Sequence, residues 1–188
     1  MFCGSSLGTR PEYAEAARQV GHEIAVRGLE LVYGGAKVGL MGIVAEAALA
    51  ANGKVIGILP DILMTQERAH AGLTELHVVG SMHERKSRMA DLADAFIALP
   101  GGMGTFEEFC EIVTWAQLGL HRKPCGLLNV VGYYDPLIAQ VERAITDGFI
   151  RAEQRGMVMA ATTIPDLLTQ FENYVPPAPS IEIKRSQI

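Results

Sequence analysis

One rhythm narrows the fold of this chain more than any other feature. Short apolar runs are followed by glycine-rich or proline-marked loops, and then by stretches with helical periodicity. Residues 29–33 lead into Gly34-Gly35-Ala36-Lys37-Val38-Gly39 and an alanine-rich helix over 40–51. Residues 95–99 lead into Pro100-Gly101-Gly102-Met103-Gly104 and a helix that runs to Gly119. Residues 1–3 end a strand, Gly4-Ser5-Ser6-Leu7-Gly8 forms a loop, and a helix follows until Gly28. Further strands are predicted over 54–59, 76–79, 124–130 and 157–160. Further helices are predicted after Ser81, after Asp135 and over 164–174. Strands separated by helices make βαβ units and a parallel sheet. The strands are almost wholly apolar, as strands covered on both faces must be.

The reading is an α/β fold: a single Rossmann-like doubly wound domain of about seven mostly parallel strands flanked by helices. It assigns residues 1–175 to the domain and 176–188, after the Pro176-Pro177-Ala178-Pro179 break, to a loose tail. Three capping boxes are expected: Thr9 to Glu12, Ser81 to Glu84 and Thr105 to Glu108. Residues 61–75 read as a long polar loop with at most one helical turn.

Composition excludes several classes of function. With 49% apolar and 20% charged residues, the 188-residue chain is not disordered. A net charge of −5 makes it a poor binder of nucleic acid or membrane surfaces. No run of 18 apolar residues suggests a transmembrane helix, and the first residues lack the features of a signal peptide. Cys3, Cys110 and Cys125 are far apart and read as reduced thiols of a cytoplasmic protein. His83-Glu84 continues into Arg85-Lys86-Ser87, so no HExxH pair forms, and no metal is expected.

Nine of the 20 glycines fall in the three strand-to-helix loops: Gly4, Gly8, Gly34, Gly35, Gly39, Gly42, Gly101, Gly102 and Gly104. In open parallel sheets such loops gather beyond the carboxyl ends of the strands, where ligands bind. A strand, a glycine turn and a helix N-terminus leave free N–H groups and a favourable dipole for an anion. Neither Walker A nor GxGxxG is matched, so a small phosphate-bearing ligand fits better than ATP or NAD. The plainer alternative is that these glycines serve only tight turns and packing.

Charged residues stand where packing residues belong. Met82, Met89 and Leu92 mark an inward helix stripe, and Arg85 falls on it. Arg85 therefore either makes a structural ion pair or points at an oxyanion. Lys86 borders the stripe, and Arg88 is placed to pair with Glu84. Glu108 either caps its own helix or contacts a sugar beside the phosphate loop. Glu107 and Glu111 repel at i,i+4, so at least one needs an outside partner. Glu67 is a solvated loop charge or a ligand contact, and Thr114 a plain helix-surface hydroxyl by its position.

The run Pro100-Gly101-Gly102-Met103-Gly104-Thr105-Phe106-Glu107-Glu108 resembles the PGGxGTxxE signature of the LOG ("Lonely Guy") family. These are cytokinin riboside 5′-monophosphate phosphoribohydrolases, many of them once labelled lysine decarboxylases. Phe2 to Ser6, Tyr33-Gly34-Gly35, Met82 to Lys86 and Trp115 to Gly119 also resemble the family, in order. The resemblance implies that Arg85 and Glu108 are catalytic and that Gly102 to Glu108 bind phosphate. It implies substrate contacts for Lys86, Glu67 and Thr114, with Ser5, Gly35 and Gly101 in the neighbouring glycine loops. It further implies a homodimer with active sites near the interface.

The expected reaction is hydrolysis of the N-glycosidic bond of a purine nucleoside 5′-monophosphate, AMP included, with no cofactor. The alternative is a non-catalytic carrier or regulatory module for a nucleotide or pterin on the same scaffold. Lysine decarboxylation needs pyridoxal phosphate held by a lysine, and no sequence feature supports it.

Overall fold

A computed structural model describes residues 1–64 and 69–180. Its strands are β1 (Glu30–Tyr33), β2 (Lys54–Pro60), β3 (Glu75–Val79), β4 (Phe96–Ala98), β5 (Cys125–Leu128) and β6 (Met159–Ala161). Its α-helices are α1 (Pro11–Val26), α2 (Gly39–Ala50), α3 (Asp61–Met64), α4 (Met82–Leu92), α5 (Met103–Gln117), α6 (Asp135–Thr146) and α7 (Ile164–Glu172). Two 3₁₀ turns, Val130–Gly132 and Ala152–Met157, complete it.

The seven-strand expectation is corrected. The described residues hold six strands, in two three-stranded parallel sheets ordered β1-β2-β3 and β4-β5-β6. The predicted first strand contributes only an isolated bridge, Phe2 to Ala98. Even so, it fills the gap between the sheets. The Met1 nitrogen donates to Val32 O at 2.8 Å, and Phe2 N–H donates to Ile97 O at 2.9 Å. Leu99 N–H returns to Phe2 O at 2.9 Å. Only Phe2 pairs across to Ala98, and one bridge without a second beside it makes no ladder.

Helices flank the parallel sheets and pack with them into two cores. One core joins Ala17, Val20 and Ile24 of α1 to Val44 and Ala48 of α2 and Leu167 of α7. The other joins Met89 of α4 to Phe109 and Ile112 of α5, around Phe2 and Phe96. Phe2 and Phe96 stack at 6.1 Å.

The capping boxes fare unequally. Ser81 Oγ accepts the Glu84 N–H at 3.1 Å, while Glu84 accepts the Gly80 N–H at 2.8 Å. The box at Thr9 does not form: Arg10 is the cap residue, with no side-chain bond, because Pro11 already starts the helix. The box at Thr105 does not form either. The helix starts at Met103, so Thr105 is already inside it. At the other end of the described chain, Ser180 N–H donates to Gln117 O at 2.8 Å.

Candidate active site

Parallel strands put the loops after residues 1–3, β1 and β4 on one edge. Gly4 N–H donates to Pro100 O at 3.0 Å, and Leu40 N–H donates to Gly4 O at 3.0 Å. A Cβ on Gly101 would lie 2.6 Å from Thr105 Cβ and 2.9 Å from Gly4 N. A Cβ on Gly39 would run into the Ser5–Ser6 backbone. These glycines are what lets the loops touch. Between them lies a cleft of about 280 Å³, lined by Ser5, Gly101, Gly102 and Tyr133 among others.

The N-terminus of α5 faces open space. A Cβ on Gly102 or Gly104 would meet nothing within 4 Å. The first helical bond runs from Phe106 N–H to Gly102 O, leaving the N–H groups of Met103, Gly104 and Thr105 without helical acceptors. Met103 is 83% exposed, whereas Thr105 is buried against Gly101. This geometry leaves free donors and open space of the kind an anion could use.

Beside it lies a buried ion pair. Arg85 Nη1 donates to Glu108 Oε1 at 2.5 Å, with side-chain exposures of 9% and 10%. Arg85 Nε also donates to Ile58 O of β2 at 3.2 Å. Glu108 therefore meets Arg85 rather than capping its own helix. Arg85 lies against Gly34, where any Cβ would collide with Nη2 and sit 2.5 Å from Met41 Cε.

Lys86 bridges the two carboxylates expected to repel. Its Nζ lies 2.5 Å from Glu107 and 3.0 Å from Glu111. Burial alone lowers the Lys86 pKa, but the hydrogen bonds to Glu107 and Glu111 outweigh it and raise the pKa above the usual lysine value. A lysine held as an ammonium in this way is a poor Schiff-base nucleophile.

Other expected residues fall elsewhere. Gly35 is buried at φ 75° and presses on Leu59 and Ile58, so its neighbour Gly34 is the one that meets the charged pair. Thr114 donates to Cys110 O at 2.7 Å and lines a groove with Leu137, Val141 and Ile150 that contains none of Arg85, Lys86 or Glu108. Arg88 is exposed and, among the described residues, makes no ion pair, because Glu84 caps Gly80 instead. Glu67 lies outside the described residues. Sequence reasoning missed Tyr133, whose hydroxyl donates to Gly101 O, and Tyr134, whose hydroxyl donates to Leu99 O at 2.6 Å. The adjacent aromatic pair after Gly132 was the available signal.

The family described as possible lysine decarboxylase matches residues 41–171. A rice protein, probable cytokinin riboside 5′-monophosphate phosphoribohydrolase LOGL5, is 50% identical over 94% of this chain and 72% of its own length. The chain belongs to the LOG family. An Arabidopsis thaliana relative, cytokinin riboside 5′-monophosphate phosphoribohydrolase LOG7, is 49% identical over 94% of this chain and 81% of its own. Among solved structures, the molybdenum cofactor binding protein of Rippkaea orientalis superposes with a TM-score of 0.67 at 24% identity. That match covers 91% of this chain and 92% of the other. At this identity it shows the fold alone. Among the described residues no helix is long and apolar enough to cross a membrane.

Proposed function

We propose that this chain is an N-glycosyl hydrolase. It splits cytokinin riboside 5′-monophosphates, and AMP, into free base and ribose 5-phosphate. The observation that carries this reading is the Arg85–Glu108 pair, nine-tenths buried beside an open helix N-terminus. A carrier needs the anion site but has no use for that pair.

In the proposed mechanism the phosphate rests on the N–H groups of Gly102 to Thr105, with the Thr105 hydroxyl assisting. Breaking the N-glycosidic bond builds positive charge on the ribose ring. The Glu108 carboxylate stabilises that charge and orients the attacking water. Hydroxide ends on the sugar C1′ and the proton on the departing base. Arg85 holds Glu108 in place and contacts the ribose or phosphate. The distant phosphate positions the scissile bond, so nucleosides lacking it react poorly. Incubation with AMP and with isopentenyladenosine 5′-monophosphate, followed by chromatography, tests this. Base plus ribose 5-phosphate supports it; nucleoside plus inorganic phosphate indicates a phosphatase; tight binding without turnover indicates a carrier.

The same reading includes a homodimer, with a cytoplasmic setting that suits three free thiols. Its support is α6, which buries none of its residues fully, and Phe149 beyond it, which is 85% exposed. A second copy seated on this face covers the groove that holds Thr114. Any contact of Thr114 with substrate would then be made across the interface. Sedimentation of the wild type against Phe149→Asp distinguishes dimer from monomer.

A further inference from the structure

The turn leading into α6 is held in an unusual conformation. Val131 takes φ 45° and ψ 38°, and Gly132 follows at φ 75°. A β-branched residue in the left-handed region is strained and persists only where its surroundings dictate it. Here Asn129 does so: its Oδ1 accepts the Tyr134 N–H and its Nδ2 donates to Asp135 Oδ1, each at 2.7 Å.

The turn presents two adjacent tyrosines to the strand-to-helix loop after β4. Tyr134 caps the Leu99 carbonyl from within the core, and Tyr133 caps the Gly101 carbonyl from the cleft. The Tyr133 ring is fixed on three sides. Tyr13 meets it edge-on at 5.6 Å, Tyr134 edge-on at 5.0 Å, and Phe106 stacks on it at 6.3 Å.

The peptide that Tyr133 grips joins two glycines, so side chains do little to stop its plane from turning over. In one orientation the Gly102 N–H faces the anion; in the other the Gly101 oxygen does, and attraction becomes repulsion. A trans peptide sets its N–H and C=O on opposite sides, so fixing the oxygen fixes the hydrogen. We propose that Tyr133 is a positioning residue whose hydroxyl locks the Gly101–Gly102 peptide with its N–H toward the 5′-phosphate. The inference rests on the phosphate site proposed above.

Tyr133→Phe tests it, because phenylalanine keeps the ring contacts and loses only the hydroxyl. Ribose 5-phosphate and adenosine are titrated calorimetrically into both proteins, with AMP kinetics and thermal melts alongside. Ribose 5-phosphate affinity should fall about tenfold, the loss expected of one hydrogen bond. KM for AMP should rise by a similar factor, while adenosine affinity and melting temperature hold. Unchanged ribose 5-phosphate affinity in Tyr133→Phe overturns the role of Tyr133 and leaves the phosphate site standing. Equal losses for adenosine reduce Tyr133 to packing and also overturn it. A wild type that does not bind ribose 5-phosphate overturns the phosphate site and this inference together.

Discussion

The guanidinium of Arg85 occupies the space that a side chain on Gly34 would take. Gly34 follows β1, and Arg85 comes from the inward face of α4, so one glycine admits a charge into the layer between sheet and helix. Gly34→Ala must push Arg85 aside, breaking its bond to Ile58 O or its pair with Glu108. Displacing a catalytic group by about 1 Å costs on the order of a hundredfold in rate. Gly34→Ala should lose that much kcat on AMP, with a folded circular dichroism spectrum. Full activity would mean that Arg85 need not sit where it does.

The same pair sets the choice of catalytic variants. Arg85→Ala leaves the Glu108 carboxylate buried without its cation, and breaking such a pair costs about 3–5 kcal/mol of stability. Glu108→Gln keeps shape and a hydrogen-bond acceptor for Arg85, so it separates chemistry from folding. Arg85 keeps an acceptor but loses its counter-charge, so the variant should lose less stability than Arg85→Ala and stay folded while kcat falls about a hundredfold or more. Arg85→Lys should not rescue, because an ammonium lacks the fork that reaches Glu108 and Ile58 O together. Wild-type turnover in Glu108→Gln would remove Glu108 from the mechanism.

The alternation of strand and helix, the glycine loops on one edge and the inward Arg85 were legible because each is a local pattern. The partner of Glu108 was not. Thr105 and Glu108 have capping-box spacing, and only the helix start at Met103 takes them out of register with a cap. Thr9 and Glu12 misled in the same way, since Pro11 sets its own helix start. Gly34 and Gly35 look alike in sequence. Their difference depends on Arg85, Leu59 and Ile58, all distant in the chain. Tyr133 escaped notice for that reason too: its hydroxyl acts 32 residues away.

Lys86 joins two helices through Glu107 and Glu111. Lys86→Met leaves those carboxylates to repel at i,i+4, and the loss should be about 1 kcal/mol, since Glu107 is 56% exposed. The pH dependence has a definite sign. The pKa of Lys86 is raised in the folded state, so its contribution is complete below the ordinary lysine value of 10.5. That contribution fades only as pH climbs beyond it. Urea melts of wild type and Lys86→Met should therefore differ by a constant amount from pH 7 to about 10 and converge above. A difference that vanishes near neutrality would show that the bridge does not stabilise the fold.

Two thiols report on the core itself. Burial pushes Cys3 and Cys125 up to about 12 from an ordinary 9.0. At pH 8 their thiolate fraction is on the order of one in ten thousand, and the thiolate is the reactive form. Both should resist alkylation in the native protein and react on unfolding, as peptide mapping by mass spectrometry would register. The linkage follows directly. Between pH 9 and 12 the unfolded thiols release protons that the folded ones retain, so stability falls as pH rises through that window. Replacing Cys125 by Ala removes one of these groups and should flatten the alkaline decline, at the cost of a small cavity. Rapid labelling of Cys125 at pH 8 without loss of structure would show that the β5 face opens on its own.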